Sequence, residues 1–125
     1  MSDGLPLRRR VYLAGPMAGH KLFNFPAFDA AARELRRIGF EVRSPAEHAR
    51  DLGLDERLET LEGFDLGAAR AWNLEQVRNC HVLCTLPGWE RSPGALEEFD
   101  LAISLHKPIL TGEFLFTVHE PRPSA

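Results

Sequence analysis

The sequence predicts an α/β protein with a single domain, in which helices cover both faces of a mostly parallel sheet of four to five strands. Short apolar runs alternate along the chain with longer segments of helical periodicity, which is the order of repeated β-α-β units. Glycine or proline follows most of the apolar runs and marks where the strands end. Because crossovers between parallel strands are right-handed, such a chain forms a doubly wound sheet.

The composition is that of an ordinary globular domain, and we assign residues 1–125 to one domain. Hydrophobic residues make up 44% of the chain and charged residues 26%, and 125 residues suffice for one core. The net charge of -3 gives no electrostatic case for a nucleic-acid partner. No apolar stretch approaches the ~20 residues of a membrane span, and the N-terminus lacks the apolar core of a signal peptide. We therefore expect a cytoplasmic protein without a membrane partner, with flexible tails at residues 1–9 and 120–125.

The cysteines and histidines indicate neither a disulfide nor a metal site. Cys80 is expected at the end of a helix and Cys84 inside a strand, which favours two reduced, buried thiols. The five histidines are scattered without the spacing of metal ligands. We expect no metal and no other cofactor.

The first half of the chain predicts two strands and one helix. Residues 11–14 form the first strand, and the glycine-containing loop 15–19 follows it. Asn24 is the expected N-cap of the first helix, Gly39 ends that helix, and residues 40–43 form the second strand. The expected buried stripe of the helix comprises Phe25, Phe28, Ala32, Leu35 and Ile38.

The second half continues the same alternation. Residues 46–65 are charged and weakly periodic, so we expect a loop with one helical turn, of the kind that often acts as a lid. A helix over residues 66–79 and a strand over residues 81–86 follow. The last helix begins at Ser92 and ends near His106. Further strands are expected at residues 108–110 and 114–118, before a proline-rich tail that starts at Pro121.

The junction between the third strand and the last helix is the candidate ligand site. A proline-glycine pair ends the strand, and Ser92 and Pro93 open the helix as N-cap and first helical residue. Helix-start N–H groups face the crevice in which ligands bind in Rossmann-like and flavodoxin-like sheets. The first and third strands should be neighbours, which brings loop 15–19 to the same place.

The last helix carries two adjacent carboxylates that helical periodicity separates. At ~100° per residue, Glu97 lies opposite the apolar side and should be solvated, whereas Glu98 lies at the edge of that side. Gly94, one turn earlier, has no side chain, so a ligand could stand in front of Glu98. A half-buried carboxylate beside a helix start is a candidate nucleophile or general base, and two surface glutamates are the alternative. The apolar side comprises Ala95, Leu96, Phe99, Ala102 and Ile103.

Three other features each have a structural and a functional interpretation. Tyr12, which strand alternation places opposite Val11 and Leu13, is a packed core ring or directs its hydroxyl at a carboxylate. Loop 15–19 is a plain turn, or its glycines let the backbone approach a ligand. Asn73 lies in the middle of the apolar face of the second helix, where its amide bonds to backbone or belongs to the site.

Three stretches of the chain resemble the nucleoside 2-deoxyribosyltransferase-like proteins. They are VYLAGPMAG at residues 11–19, NFPAF at residues 24–28 and LPGWERSPGALEE at residues 86–98. They are most similar to a small, often phage-associated subgroup that carries GPM, LPGW and S-x-G-A-x-x-E. The resemblance covers residues 10–110.

The resemblance implies displacement at the anomeric carbon of a nucleoside or nucleotide. Glu98, four residues after Gly94, matches the family's nucleophilic glutamate, Tyr12 matches the tyrosine that contacts it, and Ser92 matches a position that helps hold a 5′-phosphate. Glu98 would attack C1′ while the base departs, and the glycosyl-enzyme would pass to water or to another base. Glu98→Ala should then abolish turnover, and Glu97→Ala should change little. The implied substrate-binding residues are Gly15, Pro16, Met17, Gly19, Asn73, Trp89, Ser92 and Gly94.

The chain departs from this family at Asn73, where relatives usually carry an aspartate that assists departure of the base. An amide cannot deliver a proton as a carboxylic acid can. Two hypotheses therefore stay open, an N-glycosidase or deoxyribosyltransferase and a catalytically silent nucleotide-binding module. A cytokinin-type phosphoribohydrolase fits less well, because residues 87–98 do not reproduce that family's P-G-G-x-G-T-x-x-E run.

The resemblance also implies a homodimer or a larger homo-oligomer, in which a neighbour closes the pocket. Leu101 and Leu105 lie on the Glu98 side of the last helix, away from its main apolar stripe. We expect these two leucines in a subunit contact near the site.

Overall fold

Four parallel strands form the centre of the structure, a computed structural model that describes residues 8–112. In spatial order they are β2 (Glu41–Arg43), β1 (Arg10–Ala14), β3 (Val82–Thr85) and β4 (Ile109–Thr111), and each neighbouring pair is parallel. The expected contact between the first and third strands is confirmed. The strand expected at residues 114–118 and the tail 120–125 lie outside the described residues, as do residues 1–7.

Helices flank this sheet on both faces. They are α1 (Phe25–Arg37), α2 (Pro45–Asp51), α3 (Leu66–Asn79) and α4 (Pro93–Ser104). Helix α1 shares a buried apolar cluster with one face of the sheet, and α3 and α4 share a second cluster with the other face. The fold is therefore the predicted doubly wound α/β domain. No helix within residues 8–112 combines the length and the apolar character required to cross a membrane.

Alternation along β1 separates the two halves of the core. Val11 and Leu13 belong to the cluster formed with α1, whereas Tyr12 and Ala14 belong to the cluster formed with α3 and α4. All four side chains are fully buried. The prediction that Tyr12 lies opposite Val11 and Leu13 is confirmed, and it places this tyrosine beneath α3 and α4.

Helix α4 turns a different face to the sheet from the one that periodicity predicts. Leu96 and Ile103, expected on the buried side, are 37% and 49% exposed, whereas Ala95, Glu98 and Ala102 are buried. The two alanines add little bulk, so the face that carries them can lie close to the sheet. Glu98 is consequently at the centre of the buried face and not at its edge.

Helix α1 begins after a left-handed turn instead of a side-chain cap. Leu22, Phe23 and Asn24 have φ values of 53°, 53° and 61°. Asn24 makes no capping hydrogen bond, and its Nδ2 donates to the Pro16 carbonyl at 3.0 Å. Asn24 is therefore the N-cap residue, as predicted, but its side chain ties the helix start to the loop after β1 and does not cap the helix. The predicted stripe of α1 is buried except for Ile38, which follows the last turn and is exposed.

Residues 46–65 contain more structure than the expected loop with one helical turn. Helix α2 occupies seven residues, and a short 3-10 helix (Glu56–Leu58) follows it. Arg50 joins the segment to α1, because its guanidinium donates to both oxygens of Asp29, at 2.9 and 2.8 Å, and to Glu56 at 2.6 Å. These long-range ion pairs order the segment, and helical periodicity carries no sign of them.

Candidate active site

Glu98 is the centre of the candidate site. It lies in the second turn of α4, whose start is capped as predicted: Ser92 Oγ accepts a hydrogen bond from the Ala95 N–H at 3.2 Å, and Pro93 opens the helix. Glu98 is only 4% exposed. Carboxylates are rarely buried unless they are paired, so the partners of Glu98 decide what it can do.

Arg70 of α3 is the cationic partner of Glu98. Its Nη1 donates to Glu98 Oε2 at 2.7 Å, its Nη2 donates to the Gly94 carbonyl at 3.2 Å, and its Nε donates to Glu97 Oε1 at 3.1 Å. Nη2 donates to the same Glu97 oxygen as well. One guanidinium thus ties α3 to the first two turns of α4. Arg70 is not among the site residues that the sequence predicts, although its position three residues before Asn73 places both on one face of the helix.

Tyr12 lies next to Glu98 with its hydroxyl enclosed. The side chain is fully buried, and the hydroxyl makes no hydrogen bond of regular geometry to any residue within 8–112. Burial first, and the nearby Glu98 carboxylate second, raise the pKa of Tyr12 well above its ordinary value of 10. The ring of Tyr12 is therefore packed in the core, and its hydroxyl lies next to the Glu98 carboxylate. Both interpretations offered by the sequence thus apply to this residue.

Burial dominates the ionisation of Glu98. Removal from water disfavours the charged carboxylate and raises the pKa of Glu98 from 4.5 to about 7, against the opposing effects of the Arg70 charge and of Tyr12. Near neutral pH, Glu98 is present in both its protonated and its ionised form. A carboxyl group with this pKa is suited to act as nucleophile, general base or general acid towards a substrate that reaches it.

An apolar cavity of about 160 Å³ lies against Arg70. Among the described residues that line it, Arg70 is the only charged one, and the amide of Asn73 lies beside it. Glu98 is not part of the cavity wall, so a ligand in the cavity meets the Arg70 side chain before the carboxylate. Residues of α2 and of the segment after it, expected as a lid, form part of the wall. The apolar lining includes Phe23, Phe25, Ala49, Leu54, Leu61 and Phe64.

The loop after β1 is explained largely by packing. A Cβ on Gly15 would lie 2.8 Å from the Cβ of Leu86, so Gly15 allows the ends of β1 and β3 to pack closely. Gly19 has a φ of +80° and open space around an added Cβ, as in a plain turn. Met17 and Ala18 are the loop residues that reach the cavity.

The residues predicted to bind substrate from the loop after β3 and the start of α4 also pack against other parts of the protein. The ring of Trp89 lies 4.4 Å from that of Phe99, centroid to centroid, within the cluster beneath α4. A Cβ on Gly94 would lie 3.5 Å from Arg70 Nη1, an ordinary contact distance, so the guanidinium occupies the space in front of Gly94. Pro16 lies against the loop after β3, and the loops that follow β1 and β3 therefore converge as predicted.

The residues that form this domain coincide with the region matched by a known protein family. The family described as "Domain of unknown function (DUF4406)" matches residues 9–111. The chain belongs to the DUF4406 family. The matched region contains all four strands and all four helices, so the DUF4406 domain includes Glu98, Arg70, Tyr12 and the cavity. A search of the curated proteins finds no significant match.

Proposed function

We propose that this DUF4406 protein cleaves or transfers the N-glycosidic bond of a nucleoside or nucleotide, with Glu98 as the nucleophile. The observation that carries the proposal is the buried Glu98 carboxylate, which Arg70 holds at Oε2 at 2.7 Å and beside which the Tyr12 hydroxyl lies. A carboxylate that is fixed in position and partly ionised near neutral pH is suited to attack an electrophilic carbon.

The proposed reaction proceeds by two displacements at C1′. A Glu98 carboxylate oxygen forms a bond to C1′ as the C1′–N bond breaks, and the electron pair of that bond leaves with the base. Water or a second base then attacks C1′ and breaks the bond to Glu98, which restores the free carboxylate. The proton of the attacking group passes to the departed base anion or to solvent. The ionised form of Glu98 is the reactive one, so base release should rise with pH through about 7, the value to which burial raises the pKa of Glu98.

The cavity supports a nucleobase as the leaving group. Its apolar walls suit an aromatic ring, and the Asn73 amide offers one donor group and one acceptor to the edge of that ring. An amide cannot protonate the departing base, so the base leaves with hydrogen-bond assistance alone and the reaction is slow. The start of α4 is the proposed position of a 5′-phosphate, because helix-start N–H groups and the Ser92 hydroxyl attract anions.

A catalytically silent nucleotide-binding module is the second candidate function. The contact between Arg70 and Glu98 and the amide at Asn73 favour it, since both reduce the reactivity of the site. In this account the domain binds a nucleotide in the cavity and releases no base.

Incubation with deoxynucleosides and their monophosphates separates the two candidates. We expect free base, detected by chromatography, from at least one of these substrates. Binding of the same compounds without base release would support the silent module instead. Addition of a second free base distinguishes transfer from hydrolysis, because transfer yields a new nucleoside.

We also propose a homodimer that is held partly by the outer side of α4. Leu105 is 43% exposed and Leu101 is half-buried, so an apolar strip continues from the helix to the surface. Light scattering after size exclusion should give the mass of two chains, and Leu105→Asp should lower it to that of one. A wild-type protein with the mass of a single chain contradicts the dimer.

A cytoplasmic location is the third part of the proposal. Cys80 and Cys84 are both free and buried, as the sequence predicts. Reduced thiols are typical of proteins that work in a reducing compartment.

A further inference from the structure

Arg70 makes an unusually complete set of contacts for a side chain at the edge of a site. Its three guanidinium nitrogens donate to three acceptors on α4, namely Glu98 Oε2, Glu97 Oε1 and the Gly94 carbonyl. The side chain is 30% exposed, that of Glu97 is 60% exposed, and that of Glu98 is 6% exposed. The guanidinium therefore links an exposed carboxylate to a buried one.

We infer that Arg70 is the positioning residue for Glu98, and that Glu97 holds Arg70 in place for this task. The inference rests on the function proposed above, because positioning matters only if Glu98 reacts. It also assigns a role to Glu97, which the sequence predicts to be a solvated side chain whose replacement changes little. Glu97 is exposed as predicted, but it is paired with Arg70.

The geometry of the guanidinium supports this role. A planar guanidinium donates in fixed directions, so its contacts with Glu97 and Gly94 determine where Nη1 points. Nη1 then fixes the position of Glu98 Oε2, which lies 2.7 Å away. A lysine at position 70 has a single nitrogen and cannot contact both carboxylates with the same directional control.

The charges around Glu98 support this role as well. The groups that interact with Glu98 are the Tyr12 hydroxyl on β1, Arg70 on α3 and Glu97 on α4 itself. Among the described residues, Arg70 is the only cation of this set, and Glu97 and burial both disfavour the ionised form of Glu98. Cys80, at the end of α3, interacts with Tyr12 and supplies no positive charge. The ionised form of Glu98 therefore depends on Arg70 more than on any other side chain.

The test compares Arg70→Gln with the matched control Arg78→Gln, an exposed arginine on the same helix. Two readouts are used, the pH profile of base release and the titration of the Glu98 carboxyl carbon by 13C NMR, assigned by its absence in Glu98→Gln. In Arg70→Gln we expect the titration midpoint of Glu98 to rise by about one pH unit or more. Base release at pH 7 should fall by about fivefold or more and recover towards pH 9. Arg78→Gln should match the wild type.

Two conservative variants complete the design. Arg70→Lys keeps the positive charge, so the titration midpoint of Glu98 should stay near its wild-type value. Base release should nevertheless fall. Glu97→Gln should give a smaller change than Arg70→Gln in both readouts, because an exposed pair is weak. Circular dichroism reports whether each variant is folded, and Arg70→Lys serves as the test if Arg70→Gln is not.

The outcomes separate this inference from the proposed function. An unchanged Glu98 midpoint in folded Arg70→Gln overturns the positioning role, whether or not base is released. Where the wild type releases base, an equal rate of base release by Arg70→Lys also overturns the positioning role. The Glu98 midpoint could shift in Arg70→Gln although the protein releases no base from any substrate. That result supports the contact of Arg70 with Glu98 and rejects the enzymatic function.

Discussion

If the proposed function is correct, Glu98→Gln should remove base release, with a fall in turnover of at least about 10³-fold. Glutamine has nearly the same shape as glutamate and can still accept a hydrogen bond from Arg70 Nη1, so the packing around position 98 is kept. Its amide oxygen is a poor nucleophile, and no glycosyl ester of useful lifetime forms. Chromatography of the free base over time measures the effect.

The same substitution should stabilise the protein at alkaline pH. Folding raises the pKa of Glu98 from 4.5 to about 7, so the folded state binds this proton more tightly than the unfolded state does. The protonated carboxyl therefore stabilises the folded state at low pH. As the pH rises from 4.5 through 7, the free energy of unfolding falls by about 3 kcal/mol in total. Glutamine does not ionise, so the variant avoids this loss and should melt about 10 °C higher at pH 8.

The stability gain should disappear near pH 4.5, where the wild-type carboxyl is protonated as well. Asp100→Asn is the matched control, because it replaces an exposed acid on the same helix with its amide. The control should change neither turnover nor the melting temperature by a comparable amount. A Glu98→Gln variant that releases base at the wild-type rate contradicts the nucleophilic role.

Asn73→Asp is expected to have the second largest effect, and in the opposite direction. The departing base receives no proton from an amide, whereas a carboxylic acid in the cavity can supply one. General acid catalysis contributes about 10²-fold or more, so base release by Asn73→Asp should exceed that of the wild type by about this factor. The apolar wall and the neighbouring Arg70 act on the new carboxyl in opposite directions.

The size of this gain should depend on the leaving group. Bases that leave readily as anions need less protonation, so the acceleration should be smallest for them. Asn79→Asp, an exposed position on the same helix, is the control and should leave the rate unchanged. Equal acceleration in both variants, or none in either, contradicts the assignment of the leaving base to the cavity beside Asn73.

Much of the fold follows from local signals in the sequence. The apolar runs that end at glycine or proline predict all four strands within residues 8–112, and Ser92 and Pro93 mark the start of α4 correctly. Strand alternation also predicts correctly that Tyr12 lies on the face of the sheet opposite Val11 and Leu13. These features depend on short-range chemistry that each segment carries by itself.

The features that the sequence did not reveal depend on contacts between distant segments. Arg70 and Glu98 are 28 residues apart, and their contact exists only because α3 and α4 pack side by side. The orientation of α4 is decided by the small size of Ala95 and Ala102, whereas hydrophobicity alone favours burial of Leu96. Packing volume overrides hydrophobic periodicity here, and it moves Glu98 from the edge of the buried face to its centre.

Mass spectrometry of the protein quenched during turnover tests the role of Glu98 most directly. With a deoxynucleoside monophosphate that releases base, the account predicts a sugar-phosphate adduct on the peptide that contains Glu98, located at that residue by fragmentation. Glu98→Gln should carry no adduct. An adduct on a different residue, or continued base release by Glu98→Gln without any adduct, would contradict the account.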